Sequence, residues 1–566
     1  MGLKADYFSD DNKSIFRASL ALFATLTKLN LSDKRITLPT HTPVAPPPSD
    51  FDYLIKILKA PIYNAAVVTD LDKLPTLSGI VGNDVYLKRE DQQPVKSFKL
   101  RGAFNCMSQL NDTQKAAGVI AASAGNHAQG VAYAAKAMNI KATIVMPETT
   151  PEIKVNAVRT FGGQHVTVVQ HGTSYDQAST HAFALAKQYG FTMIPPFDHP
   201  DVIAGQGTIA KEMLEQLSDF DYLFVAVGGG GLAAGMAVYL KQIKPSIKII
   251  GVESDQSACL KAALEAGEPV TLPHVGIFAD GVAVKTIGSE PFRLCQQYLD
   301  DVMTVTNDEI CTAIKDIFDD TRVIAEPAGA LSVAAIRKYC RENDIQNKRL
   351  TGILCGANIN FHTLRYVSER CELGEQKEAV FAVNIPETKG AFKSFCSLLG
   401  GIVITEFNYR FNAITQNAGE ASTGSAQIFV GVKLRNGAAE YNELLKSLSD
   451  KGYTYCDLSQ NELAKLHVRH MVGGRPQQKI HESIFSFSFP EYPGALMHFL
   501  NTLGESWNIT LFHYRNHGAA QGLVLAGFEI SPEQRSNFQE YLDKLDFEVQ
   551  EHEDDPAYTF FLSSQS

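Results

Sequence analysis

The sequence predicts an α/β region followed by a duplicated α+β region. Three observations carry that prediction. Between about residues 51 and 372, short apolar runs alternate with alanine-rich helical stretches, the pattern of parallel strands buried on both faces. After about residue 373 the alternation stops, and the segment 383–401 recurs as 487–505. Third, the unusual residues of the first region, SAGNH, GGGGL and CGAN, each follow an apolar run. They therefore sit at the carboxyl ends of strands, where open α/β sheets bind ligands.

In chain order, residues 1–50 read as an extension. They end in THTPVAPPPSD, whose prolines favour extended chain, after a short apolar helix around 19–29. The first strand–helix pair is GVIAAS (118–123) with a helix over 128–138. ATIVMP (142–147) precedes a helix over 152–161, and HVTVVQ (165–170) precedes one over 175–189. YLFVAV (222–227) leads into a helix from Leu232, IKIIGVE (247–253) into one over 258–266, and LTGILCG (350–356) comes last. In the repeat, VNIPETKGAFKSFCSLLGG and TEFNYRF (405–411) match FSFPEYPGALMHFLNTLGE and TLFHYRN (510–516). Helical spacing at Phe392, Phe395 and Leu399, then strands such as 426–434 and 522–530, make each copy a small α+β sandwich. The resulting division is 1–50, 51–372, 373–476 and 477–566, in keeping with roughly three or four domains for a chain of 566 residues.

Composition excludes several classes. Lys plus Arg is 51 and Asp plus Glu is 62, a net charge of −11, which disfavours nucleic-acid and anionic-membrane partners. Nine dispersed cysteines without CxxC spacing read as reduced thiols. Residues 222–240 are uncharged and near bilayer length, but four consecutive glycines favour a buried strand, a turn and a helix. The acidic start, with Asp6, Asp10 and Asp11, is unlike a secretory or organellar leader.

The chemistry concentrates in LKREDQQPVKSFKLRGAFN (87–105), where Lys88, Lys96 and Lys99 lie close together. Most lysines are solvated surface charges. Lys99, between Phe98 and the start of an Arg-Gly-Ala-Phe helix, is the candidate for a desolvated, Schiff-base-forming amine. VGGGGLAAG (227–235) offers a glycine turn at a helix N-terminus, suited to a phosphate. It matches neither a Walker loop nor the dinucleotide fingerprint. SAGNHAQG (123–130) supplies Ser123, Asn126 and amides at another helix start, for a carboxylate or a cofactor ring oxygen. His127 reads equally well as a structural histidine. No metal-ligand cluster stands out.

The motifs KSFKLRGA, SAGNHAQGVA, VGGGGLAAG and LCGANINFHTLRYVSERCELGE together resemble the fold-type-II pyridoxal-phosphate enzymes, and among them the biosynthetic threonine dehydratases (threonine ammonia-lyases). The resemblance runs from about residue 51 to the end. It includes KLHVRHMVGGRP (465–476), and the two repeats look like that family's ACT-like regulatory domains. It implies a catalytic unit of two parallel-sheet lobes. Lys99 would hold pyridoxal phosphate as a Schiff base, with Phe98 beside the ring and Asn126 on the ring hydroxyl. Gly228, Gly229, Gly230, Gly231 and Leu232 would cradle the phosphate. Ser123, Ala124, Gly125, Asn126 and His127 would hold the substrate. Cys355 falls at the pyridine-nitrogen partner position, where the commoner residue is serine. A thiol is a weaker but still neutral partner, which moderates the electron sink.

The resemblance further implies β-elimination of water from L-threonine, with Lys99 as base at Cα, giving 2-oxobutanoate and ammonia. This is the first step towards isoleucine. Isoleucine would inhibit through the repeats and valine oppose it. The matched pairs Tyr409–Arg410 and Tyr514–Arg515 are effector-pocket candidates, Arg for a carboxylate and Tyr for an aliphatic wall; packing within each repeat is the competing reading for the tyrosines. A homotetramer in the cytoplasm is implied, or a mitochondrion or plastid if the source is eukaryotic. Serine racemases, catabolic serine/threonine dehydratases and cysteine synthases share the catalytic motifs, and the duplicated tail disfavours them. A non-catalytic amino-acid sensor is a third reading, opposed by the intact Lys99.

Overall fold

The structure, a computed structural model, describes residues 49–361, 363–374, 378–386, 394–395, 398–399, 402–410, 425–434, 437–468, 481–490, 499, 502, 507–515, 521–545 and 547–562. The expected extension, with its helix at 19–29 and its prolines, lies outside these residues apart from its last two. Helix α1 (Asp50–Lys59) starts at a capping box. The Ser49 hydroxyl accepts from the Asp52 amide at 3.3 Å, and the Asp52 carboxylate accepts from the Ser49 amide at 2.8 Å.

Ten strands build two sheets. β1 (Leu71–Lys73) and β2 (Asp84–Arg89) open the larger one. The chain leaves it through helix α2 (Lys99–Ser108) to form the smaller sheet: β3 (Val119–Ala122), helix α3 (Asn126–Met138), β4 (Ala142–Met146), β5 (Val166–Gln170) and β6 (Thr192–Met193). Helix α4 (Pro200–Gln216) returns it to the larger sheet. There follow β7 (Tyr222–Ala226), helix α5 (Gly231–Ile243), β8 (Lys248–Ser254) and β9 (Asp301–Val305). Helices α6 (Asn307–Thr321) and α7 (Pro327–Asn343) and strand β10 (Arg349–Leu354) complete it.

The larger sheet runs β1-β2-β10-β7-β8-β9 and the smaller β5-β4-β3-β6. Every pairing is parallel except β1 with β2. The expected pair of parallel sheets therefore carries one correction, a three-residue antiparallel edge strand. Such a short edge leaves little unpaired backbone exposed. All four residues of β3 and the last four of β7 are buried, as both-face coverage by helices requires. The bilayer-length stretch 222–240 resolves into β7, a glycine turn and α5. Among the described residues no helix is long and apolar enough to cross a membrane.

Helix α8 (Thr363–Gly374) leads out of this unit, and the boundary expected after residue 372 falls in its last turn. The repeat then appears as two sheets of identical topology. β11 (Glu378–Pro386), β12 (Val403–Arg410), β13 (Ser425–Lys433) and β14 (Thr454–Asp457) form one, with helix α9 (Ala438–Asp450). β15 (Glu482–Pro490), β16 (Asn508–Arg515), β17 (Gln521–Glu529) and β18 (Glu548–Glu551) form the other, with helix α10 (Arg535–Leu542). The orders are β12-β13-β11-β14 and β16-β17-β15-β18. Even the register slips match, at Ile404/Glu406 and at Ile509/Leu511. Strand alternation then divides the faces. Phe381, Val383 and Ile385 pack with Leu444 and Leu448 of α9, and Phe485 and Phe487 with Phe538 of α10. Val380, Ala382 and Phe429 of the first copy pack with Ile484 and Leu525 of the second.

Candidate active site

β2 delivers the chain to the segment 90–98, which pairs with the chain leaving β10. The Phe98 amide donates to the Cys355 carbonyl at 3.2 Å, and the Ala357 amide donates to the Lys96 carbonyl at 3.0 Å. Lys99 thus begins α2 beside Cys355. The three lysines of the motif have different surroundings. Lys96 is exposed. Lys88 is buried, its ammonium 2.8 Å from Glu212 and donating to the Thr69 carbonyl at 2.7 Å. Lys99 is half-buried; its Nζ donates to the Pro196 carbonyl at 3.1 Å and lies 5.1 Å from the centre of the Phe98 ring. Burial pushes the Lys99 ammonium down to about 8, with the Glu326 carboxylate pulling the other way. Within the first turn of α2, Arg101 is fully buried between Glu90 (2.7 Å) and Glu212 (2.6 Å). This network ties the start of α2 to the segment after β2 and to α4.

The glycine run follows β7. Gly230 has φ +87° and begins the turn into α5, a conformation that glycine adopts without strain. At Gly229 the requirement is packing: a Cβ there would lie 2.1 Å from the Phe197 ring. Phe197 follows Pro196, whose carbonyl holds Lys99, so the amine and the glycine turn share one wall. The first amides of α5 have no partner within the helix and carry the positive end of its dipole.

A third corner comes from β3 and α3. The Ser123 hydroxyl accepts from the Gly125 amide at 3.2 Å. The Asn126 side chain donates to Glu326 Oε1 at 2.7 Å, and its carbonyl accepts from Asn358 Nδ2 at 2.6 Å. Glu326 immediately precedes α7 and is 4% exposed; burial, with the Asp280 charge added, pushes its carboxyl up to about 7. His127 is buried, and its ring Nε2 lies 2.8 Å from the Ile194 carbonyl. A carbonyl only accepts, so that nitrogen carries the proton. Burial pushes the imidazole down to about 3, so the ring is neutral near pH 7. Burial raises the Cys355 thiol well above the usual range, and it stays protonated.

The donor set suits a small cofactor bearing an aldehyde and a phosphate. It comprises a desolvated primary amine, an aromatic face beside it, a helix N-terminus behind a glycine turn, and a neutral thiol. Among the described residues no group of three or more His, Cys, Asp or Glu side chains could hold a metal ion.

Residues 62–356 match the family model of pyridoxal-phosphate-dependent enzymes. Residues 369–468 and 473–562 match that of the C-terminal regulatory domain of threonine dehydratase. A biosynthetic L-threonine dehydratase of Salmonella typhimurium is 56% identical over 521 residues, 92% of this chain and 99% of that protein. The chain belongs to the threonine dehydratase family. A solved structure of processed threonine deaminase isoform 2 from Solanum lycopersicum is 48% identical, with a TM-score of 0.55, over 56% of this chain and 92% of that one. A serine racemase from Dictyostelium discoideum is 32% identical, with a TM-score of 0.51, over 54% of this chain and 99% of that one. The share of this threonine dehydratase family member that matches both structures is about the size of its catalytic unit.

The sequence-predicted residues Phe98, Lys99, Ser123 to His127, Gly228 to Leu232 and Cys355 all lie at the carboxyl ends of β2, β3, β7 and β10 or on the chain directly after them. Two neighbours were missed. Asn358 stands inside the CGAN motif but carried no signal of its own. Glu326 is 200 residues from Asn126, and only its place before Pro327 at a helix start marked it. Tyr409–Arg410 and Tyr514–Arg515 end β12 and β16 at equivalent positions, paired with Ile428–Gln427 and Val524–Leu523. Their side chains lie outside the described part of the structure.

Proposed function

We infer that this chain is a pyridoxal-phosphate-dependent threonine dehydratase. It eliminates water from L-threonine, and the enamine so released tautomerises to an imine whose hydrolysis takes up one water and frees ammonia, leaving 2-oxobutanoate. The observation that carries this is the half-buried Lys99 amine at the head of α2, beside the Phe98 ring and one wall away from the glycine turn. Pyridoxal phosphate, when bound, supplies the electron sink that makes the substrate Cα–H acidic. Lys99 would hold it, Gly228 to Gly231 and Leu232 would receive its phosphate, and Asn126 its ring oxygen. The neutral Cys355 thiol would face its pyridine nitrogen.

Ser123 and the amides of Ala124 to His127 bind the substrate carboxylate at the start of α3. Once free, the Lys99 Nζ takes the Cα proton; its lowered pKa puts the neutral base within reach near pH 8. Phe98 and the buried strand ends keep bulk water from competing for that proton. His127, neutral and bonded to Ile194, shapes the carboxylate site and does not act as an acid.

The duplicated tail makes this a biosynthetic, allosteric form. Isoleucine would bind the repeats and inhibit, and valine would oppose it, with Arg410 and Arg515 as candidate carboxylate partners and Tyr409 and Tyr514 as aliphatic walls. The reading is supported by a buried junction between the two halves. Asp308, at the start of α6, receives Arg370 of α8 at 2.5 Å and Lys465 of the first regulatory module at 2.6 Å. Lys465 opens the KLHVRHM motif. A homotetramer in the cytoplasm completes the proposal. The test is 2-oxobutanoate release from L-threonine by the purified protein, with suppression by isoleucine.

A further inference from the structure

The Asn126 carboxamide is not free to turn. Its Nδ2 donates to Glu326 Oε1 at 2.7 Å and its Oδ1 accepts from Asn358 Nδ2 at 2.6 Å. Asn358 is itself pinned at two further points. Its backbone amide donates to Glu326 Oε2 at 3.0 Å, and its side chain donates to the Val95 carbonyl at 3.0 Å. Reversing the Asn126 amide would set oxygen against the Glu326 carboxylate and N–H against the Asn358 N–H, turning two attractions into two repulsions. The chain also makes room for this arrangement. A Cβ on Gly356 would lie 2.6 Å from Glu326 Oε1, so the glycine of CGAN admits the carboxylate.

We propose that Glu326 and Asn358 are positioning residues for the dehydration: they lock Asn126 so that it offers a fixed N–H donor to the cofactor's ring oxygen. This rests on the role given to Asn126 above. A carboxamide has two N–H groups and Glu326 uses one; the other remains for the ring oxygen and favours its anionic form. Without the lock, the amide can present its carbonyl instead, which favours the protonated form. Neither Glu326 nor Asn358 needs to touch the substrate for this effect.

The experiment is a double-mutant cycle on the full-length protein, read by the dissociation constant of pyridoxal phosphate from the apoenzyme and by the visible absorption of the holoenzyme without substrate. Glu326→Gln leaves one acceptor oxygen for two donors, so one bond to the lock is lost. It should weaken cofactor binding about tenfold and move the absorption band to shorter wavelength, and Asn126→Ala should do the same. The double variant Asn126→Ala/Glu326→Gln should be no worse than Asn126→Ala alone, because residues acting through one contact are not additive. An unchanged band and dissociation constant in Glu326→Gln, or full additivity, would overturn the proposal. Asn358→Ala, which leaves Glu326 in place, repeats the test if Glu326→Gln does not fold, with thermal melting as the folding control. Wild-type turnover of threonine separates the two claims. An inactive wild type with a non-additive cycle removes the substrate reading and keeps the lock; an active wild type with an additive cycle does the reverse.

Discussion

Lys88 and Lys99 carry the same side chain into the same region, and their neighbours give them opposite fates. Lys88 meets Glu212 and keeps a partner for its charge. Among the described residues, the Lys99 ammonium donates to a backbone carbonyl and lies beside a ring face. Neither compensates a buried charge as a carboxylate does. The sign follows directly: desolvation penalises the protonated form, so Lys99 loses its proton near 8 where an ordinary lysine does so near 10.5. Capture of pyridoxal phosphate by the apoenzyme, followed by stopped-flow absorbance, should therefore speed up with pH and level off above about 8. A profile still climbing towards 10.5 would mean an ordinary solvated lysine. The choice among the three lysines was partly legible in the sequence, because Phe98 and the following helix were visible. Burial of Lys88 was not, since Glu212 lies far along the chain.

At the scale of elements, the glycine turn serves two purposes. Its backbone is proposed to receive the phosphate, and its missing side chains admit Phe197. Gly229→Ala would place a methyl 2.1 Å from the Phe197 ring, and overpacking of this kind costs about 1–3 kcal/mol. The expected outcome is a lower melting temperature together with weaker pyridoxal phosphate binding, since Phe197 is joined to the residue that holds Lys99. A variant that melts and binds like wild type would show that the ring moves aside freely. The long alternating elements were legible from their periodicity: the helix expected over 175–189 is found as Tyr175–Tyr189. β1 and β6, three and two residues long, carry too few residues for any period to register. Helix α4 escaped notice because it is buried nearly all round, which removes the polar stripe that marks an amphipathic helix. Glu326 and Asn358 were missed for a third reason, that their meaning exists only in the contact between distant strand ends.

Across the whole molecule, the two halves meet at a buried charge shared by three elements. Asp308 belongs to the catalytic unit, Arg370 to the helix that leaves it, and Lys465 to the first regulatory module. Replacing Lys465 by Met still leaves Asp308 paired with Arg370, so no unpaired charge is buried. Lys465→Met should keep activity near wild type without effector. It should raise the isoleucine concentration for half inhibition about fivefold or more, within the usual range of allosteric coupling. An unchanged isoleucine curve would place the coupling elsewhere. The duplication was legible from sequence because both copies keep the same turn and strand residues. The junction was not, since it joins residues 308, 370 and 465 that share no local pattern.

Lys99 is proposed to drive the dehydration of threonine under the control of the duplicated tail. Release of 2-oxobutanoate from L-threonine tests it most directly, measured for the wild type and for Lys99→Ala, with and without isoleucine. Expected are steady release by the wild type, suppression by isoleucine, and loss of at least a thousandfold in Lys99→Ala, on the order of the ~10²–10⁴ carried by a positioned general base. Wild-type protein that leaves threonine intact, or Lys99→Ala that retains the activity, would contradict it.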